Sequence, residues 1–268
     1  MKLWKNTTFF NHYNEEYSFT EIKNEAEIAI LGSKPIIIDE FQSLRAIFRV
    51  GIGRDNVPEI EAAEKGITVR FPSEETVKII YRETASFTCS LILKMAYNNV
   101  GKIDPWHRKI RKALSKQTLL VIGTGNIGSR VIKRMENFMN ITTYDIIQNK
   151  EQELEPLISS ADHITLHIPK DKMNNAFFDE KKLSWIKAGA TIINTSRGSI
   201  VDEDALYNEL SNSRINAAFD VFWNEPYNGK LMEFYPNSFY MSPHVSSSCN
   251  EFIDGCKRDL DLLIAELT

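Results

Sequence analysis

Residues 118–135 read TLLVIGTGNIGSRVIKRM, an apolar run that enters three glycines spaced G-x-G-x-x-G and leaves them as a helical pattern. A strand that feeds directly into a helix returns as a parallel neighbour, so this segment commits its part of the chain to a layered α/β fold. Gly123 permits the tight turn, Gly125 lets a phosphate approach the backbone, and Gly128 lets the helix pack closely with its N-terminal N–H groups facing an anion. Asn126 and Ile127 complete the loop. Asp145 ends the next apolar run, ITTYD, about 20 residues on, where a carboxylate accepts ribose hydroxyls and repels a 2′-phosphate. The loop is predicted to hold a dinucleotide, and NAD rather than NADP.

The same rhythm extends to both sides. Before the loop come AEIAILG, PIIID and RAIFRVG, then a helix-like EIEAAEKG leading into ITVRF, which read as strand, crossover, strand. From about Arg82 to Tyr97 apolar positions fall at helical spacing without Pro or Gly, predicting one long helix. After TLLVIG follow ITTYD, ADHITLHIP, GATIINTS, INAAFDVF and SFYMSPH, and an amphipathic helix closes the chain from about Asn250 to Leu267. These runs predict a doubly wound, Rossmann-type parallel sheet for residues 84–247. A smaller flavodoxin-like α/β domain is expected from residues 1–83, completed by residues 248–268. A ligand cleft is expected between the two domains.

Composition removes other classes. With 268 residues, 43% of them hydrophobic, and a net charge of -4, the chain can bury a core and offers no broad positive field to a nucleic acid. Three cysteines without a CxxC or zinc-ligand spacing fit a reducing compartment and no metal. No apolar run approaches the ~18 residues of a membrane span, and the first residues lack a signal-peptide core, so the expected location is the cytoplasm.

Downstream, INTSRGSIVDEDAL, DVFWNEP and SPHVSS follow in that order, and here the chain strongly resembles the D-isomer-specific 2-hydroxyacid dehydrogenases. AIFRVGIGRDNV and AAEKGITV resemble that family's substrate-domain loop and the helix and strand after it, while the first 25 residues have no counterpart. The resemblance implies an NAD-dependent oxidoreductase acting on a small 2-hydroxy or 2-oxo acid. It makes Arg197 the substrate-orienting arginine, His244 the catalytic acid/base, Glu225 its carboxylate partner and Asp220 a nicotinamide-side contact. His167, Ile168 and Pro169 of LHIP, with Thr195 and Ser196 of NTS, would line the cofactor beside His244. Val50, Gly51, Ile52 and Gly53 would offer backbone amides to the substrate carboxylate. Formate oxidation is disfavoured by Glu225, and phosphite oxidation by Ile52, where that branch carries lysine.

These residue types suit that chemistry. Reducing a 2-oxo acid needs a cation that holds the carboxylate and polarises the carbonyl, which a planar guanidinium does bidentately. The developing alkoxide needs a proton from a group titrating near neutrality, and a carboxylate beside an imidazole orients it. Arg54, where the family often has a small or apolar residue, and Lys34 in the GSKP turn suggest a second anionic group on the substrate. A homodimer is expected, although the family's dimer arm, between the long helix and TLLVIG, is abbreviated. The competing class is a non-catalytic NAD-responsive binding or regulatory protein, against which the complete Arg197, Glu225 and His244 set stands.

Overall fold

The inner strands of both sheets are buried on both faces, which is why they read as unbroken apolar runs. The computed structural model describes residues 1–171 and 173–268. Strands β1 (Leu3–Lys5), β2 (Ile28–Leu31), β3 (Ala46–Arg49) and β4 (Thr68–Arg70) form a parallel sheet in chain order. Ile28, Ile30, Ala46 and Phe48 pack with Phe252, Cys256, Leu260 and Leu263 of the C-terminal helix, whereas Ala29, Leu31 and Ile47 pack with Ile38, Phe41 and Ala62. Ala62 lies on helix α1 (Glu59–Glu64). The apolar run at PIIID forms a single 3-10 turn, Ile38–Glu40, and the first residues supply the edge strand β1. Residues 1–80 with 247–268 make up this first compact unit, and residues 81–246 the second.

Helix α2 (Glu74–Ala96) begins well before the predicted Arg82. TVKII is rich in β-branched residues and reads as strand, but the cap decides. The Ser73 hydroxyl oxygen accepts from the Thr76 N–H at 3.4 Å, one of the helix's first free donors, and the Asp259 carboxylate accepts from the Ser73 N–H and the Thr76 hydroxyl, each at 2.8 Å. Asp259 sits far along the sequence.

A small antiparallel hairpin, β5 (Gly101–Lys102) and β6 (His107–Arg108), follows α2. The second sheet then runs β7 (Thr118–Ile122), α3 (Gly128–Met135), β8 (Asn140–Tyr144), α4 (Leu154–Ser160), β9 (His163–Leu166), α5 (Glu180–Trp185) and β10 (Thr191–Asn194). It ends with α6 (Glu203–Ser211), β11 (Asn216–Phe219) and β12 (Phe239–Met241), and α7 (Asn250–Leu267) returns to the first unit. All six strands are parallel, in the order β12-β11-β10-β9-β7-β8. Leu119 and Val121 face a layer with residues of α2 and α3, while Leu120 and Ile122 face one with residues of α4, α5 and α6. The chain steps outward from β7 to β8 and then crosses back to β9. Sheets of this kind bind ligands at that reversal, beyond the carboxyl ends of the strands.

His163, on β9 and 4% exposed, is held inside the sheet by Gln117 and Thr191. The Gln117 Oε1 atom can only accept, so Nε2 carries the proton at 2.6 Å and Nδ1 accepts from the Thr191 hydroxyl at 2.5 Å. Burial pushes its pKa down to about 4. The folded state thus keeps the ring neutral while the unfolded chain, titrating near 6.5, takes up a proton. Stability is therefore full above about pH 6.5 and falls as the pH drops towards 4, by an amount on the order of 3 kcal/mol. Urea unfolding at successive pH values should show that fall, and His163→Asn should flatten it.

Candidate functional site

Gly123 (φ +87) follows β7 directly and abuts the strand end of β9: a Cβ there would lie 2.5 Å from the His167 carbonyl oxygen. A Cβ on Gly128 would lie 1.9 Å from the Gly123 carbonyl, so helix α3 can start where it does only without a side chain. Gly125 differs, because nothing lies within 4 Å of its Cβ position. The Asp145 carboxylate, just past β8, accepts from the Thr124 N–H at 2.9 Å, the Thr124 hydroxyl at 2.8 Å and the Ile147 N–H at 3.1 Å. The Thr124 amide above all holds its pKa below the usual carboxylate range. Thr124 was an unassigned residue of the glycine string, and its link to Asp145 is a tertiary contact.

His167 lies beside this loop. Burial drives its pKa down to about 3, its Nε2 atom meets the Thr165 hydroxyl at 3.1 Å, and its buried Nδ1 atom has no hydrogen-bond partner among the described residues. An orphaned ring nitrogen, open space over Gly125 and an ionised carboxylate beside the turn together fit a dinucleotide. Other expected cofactor residues are occupied within the protein. The Thr195 hydroxyl pairs with that of Thr88 at 2.8 Å, and the Ser196 hydroxyl donates to the Leu166 carbonyl at 2.7 Å. Ile127 and Ile168 pack against the two core layers, the Asn126 carbonyl accepts from Arg130, and that of Pro169 accepts from Asn174.

Arg197, Glu225 and His244 follow β10, β11 and β12, so all three stand beyond the carboxyl edge of the same sheet. His244 Nδ1 lies 2.8 Å from Glu225 Oε2, and Glu225 Oε1 accepts from the Phe222 N–H at 3.1 Å. Since an ionised carboxylate only accepts, Nδ1 is the donor and Nε2 is left to exchange a proton. Arg197 is half-buried and extended, with Nη1 donating to the Ser196 carbonyl at 2.8 Å. His244 adopts a left-handed backbone (φ +53), an uncommon conformation for a residue with a side chain. Asp220 sustains it. That fully buried carboxylate accepts from the Ser242 hydroxyl at 2.6 Å and from the N–H groups of Val245 and Ser246, each at 2.9 Å. Asp220, expected as a nicotinamide contact, thus directs these bonds into the loop that carries His244.

In the first unit, the Val50 side chain is buried in the core, Gly51 has φ +127, and Ile52 is partly exposed. The Val50 N–H, expected among the substrate amides, instead donates to the Leu31 carbonyl at 2.8 Å, whereas among the described residues the N–H groups of Gly51, Ile52, Gly53 and Arg54 meet no protein acceptor. Arg54 and Lys34, expected as a second anion site, are both exposed. Arg54 is ion-paired with Glu59 of α1 at 2.6 Å and lies 4.1 Å over the Phe71 ring, which accounts for its charge at the surface. Lys34 contributes its carbonyl to Asn6 and Asn56.

The glycine geometry is directly testable. Gly128→Ala should lower the melting temperature by roughly 4 to 10 °C, because a backbone carbonyl cannot yield, whereas Gly125→Ala should leave it within about 2 °C. Thermal melts of both variants check this.

A family profile described as D-isomer specific 2-hydroxyacid dehydrogenase, NAD binding domain, matches residues 93–246. A D-3-phosphoglycerate dehydrogenase of Methanocaldococcus jannaschii is 35% identical over 210 residues, which span 71% of this chain but only 39% of that protein. A hydroxypyruvate reductase of Thermotoga maritima is 31% identical over 230 residues, 80% of this chain and 74% of the relative. Among solved structures, a D-lactate dehydrogenase from Aquifex aeolicus complexed with NAD and lactic acid superposes with a TM-score of 0.80. It is 21% identical and covers 100% of this chain and 95% of that one, a likeness of fold.

Proposed function

The chain belongs to the D-isomer specific 2-hydroxyacid dehydrogenase family, and from that premise we propose that it interconverts a small 2-oxo acid and its D-2-hydroxy acid, with NAD as the redox partner. The observation that carries this reading is the 2.8 Å His244–Glu225 contact beyond the strand ends that also bear Arg197. Gly123, Gly125, Gly128, Asp145 and His167 hold the dinucleotide, and the ionised Asp145 disfavours a 2′-phosphate. Bound NADH supplies the hydride. Arg197 orients the carboxylate and polarises the carbonyl. His244 delivers a proton from Nε2 to the carbonyl oxygen during reduction and withdraws it during oxidation, with Glu225 fixing the ring through Nδ1. The outward amides of residues 51–54 receive the substrate carboxylate. Cytoplasmic residence suits a chain whose three cysteines form no disulfide among the described residues.

The test is an assay of NADH and NADPH oxidation across 2-oxo acids of different length. Turnover with NADH preferred is expected, and no turnover with any 2-oxo acid would sink the reading. His244→Ala should lower kcat by about 10²- to 10⁴-fold while NADH binding, read by fluorescence, stays unchanged.

We also assign a homodimer to this chain. Val100, Ile103, Trp106 and Ile110 are exposed on and around the β5–β6 hairpin, Trp106 by 74% and Ile110 by 95%, apolar side chains suited to burial against a second copy. Light scattering should give twice the chain mass, and Trp106→Glu should shift it towards the monomer. A monomeric wild type would refute this.

A further inference from the structure

Arg49, the last residue of β3, is only 6% exposed although it carries a guanidinium. Nε donates to the Gly53 carbonyl and to Asn56 Oδ1, both at 3.2 Å, while Nη1 donates to the carbonyls of Leu31, at 3.3 Å, and Val50. The guanidinium lies close to Gly51, where a Cβ would come within 3.0 Å of Nη1. Asn56 extends the brace, its Nδ2 reaching the carbonyls of Gly32 at 2.8 Å and Lys34 at 2.9 Å. Asn6 accepts from the Gly32 N–H at 2.8 Å and donates to the Lys34 carbonyl at 3.0 Å, so the loops beyond β1, β2 and β3 share one network.

In a trans peptide the carbonyl and the following N–H point in opposite directions. Drawing the carbonyls of Val50 and Gly53 onto Arg49 therefore turns the N–H groups of Gly51 and Arg54 the other way, and neither meets a protein acceptor among the described residues. We propose that Arg49 is a positioning residue: it grips the inner carbonyls of loop 50–54 so that its amides stand ready for the substrate carboxylate. The inference rests on the proposed dehydrogenase reading for the identity of that anion. A planar guanidinium spans carbonyls on two loops, whereas a lysine ammonium is a point charge on a flexible stem and cannot hold them in one plane.

Arg49→Lys keeps the charge and removes the fork. With saturating NADH, its KM for the 2-oxo acid should rise about tenfold or more, as expected for losing charge-assisted bonds. In the same variant kcat should stay within about threefold, and NADH affinity, read by fluorescence, within about twofold. Amide hydrogen exchange should quicken at residues 50–56 and not in strand residues 46–48. A folded Arg49→Lys with unchanged KM and unchanged exchange in the loop overturns the proposal, as does a variant in which kcat falls and KM does not. Should Arg49→Lys fail to fold, Asn56→Ala removes one partner of the guanidinium and should give the same KM split and loop exchange at smaller size; their absence overturns it equally. A wild type that turns over no 2-oxo acid refutes the function instead, and the exchange rates alone then decide whether Arg49 holds the loop.

Discussion

A carboxylate taken wholly out of water has to be answered by donors, and the donors that answer Asp220 set the geometry of the second unit's site. Its partners lie on both sides of His244, at Ser242, Val245 and Ser246. The loop between those anchors has little freedom, which is how a histidine persists at φ +53, where strain typically costs about 1–3 kcal/mol. Five residues after Asp220 comes Glu225, fixed by the Phe222 amide. One short segment leaving β11 therefore controls both members of the His244–Glu225 pair, from below through the loop and from the side through the carboxylate. Removing Asp220's charge would disturb the pair without touching either residue.

The first unit solves the complementary problem with the opposite charge. There a buried cation, Arg49, gathers carbonyls, whereas Asp220 gathers N–H groups. The consequence differs in kind. An anion that collects N–H groups consumes the donors of its loop, and under the proposed function the atom offered to substrate is a side-chain one, the imidazole nitrogen. A cation that collects carbonyls leaves N–H groups facing away from it, and under the proposed function the backbone itself meets the substrate. Gly51 is required in that second arrangement, since its positive φ and the nearby guanidinium both exclude a side chain.

What was legible in the sequence is local. The glycine turn and the succession of strands from β7 to β12 each follow from residues close in the chain, and the structure contains them as read. What was not legible depends on distant partners. TVKII reads as extended because its β-branched residues favour strands, yet α2 begins at Glu74, and the Ser73–Thr76 turn that opens it is held by Asp259 from the last helix. β1 is three residues long and joins β2 through a long irregular connection, so no periodicity could announce it. Thr124 and Arg49 gave no pattern because each acts through a partner on another loop or strand end.

Hydroxyl residues near a nucleotide motif invite assignment to the ligand, yet Thr195 and Ser196 direct their hydroxyls to Thr88 and to the Leu166 carbonyl. Those hydroxyls tie the β10 loop to α2 and to the end of β9. The groups that remain available are of another sort: open space at Gly125, the Nδ1 atom of His167, and the amides of residues 51–54. A buried polar atom without a partner costs free energy in the folded protein and is retained where something else supplies the missing bond. Three buried side-chain atoms stand without a partner among the described residues, Thr142 Oγ1, Ser199 Oγ and His167 Nδ1, and the last is the one that lies beside the glycine turn.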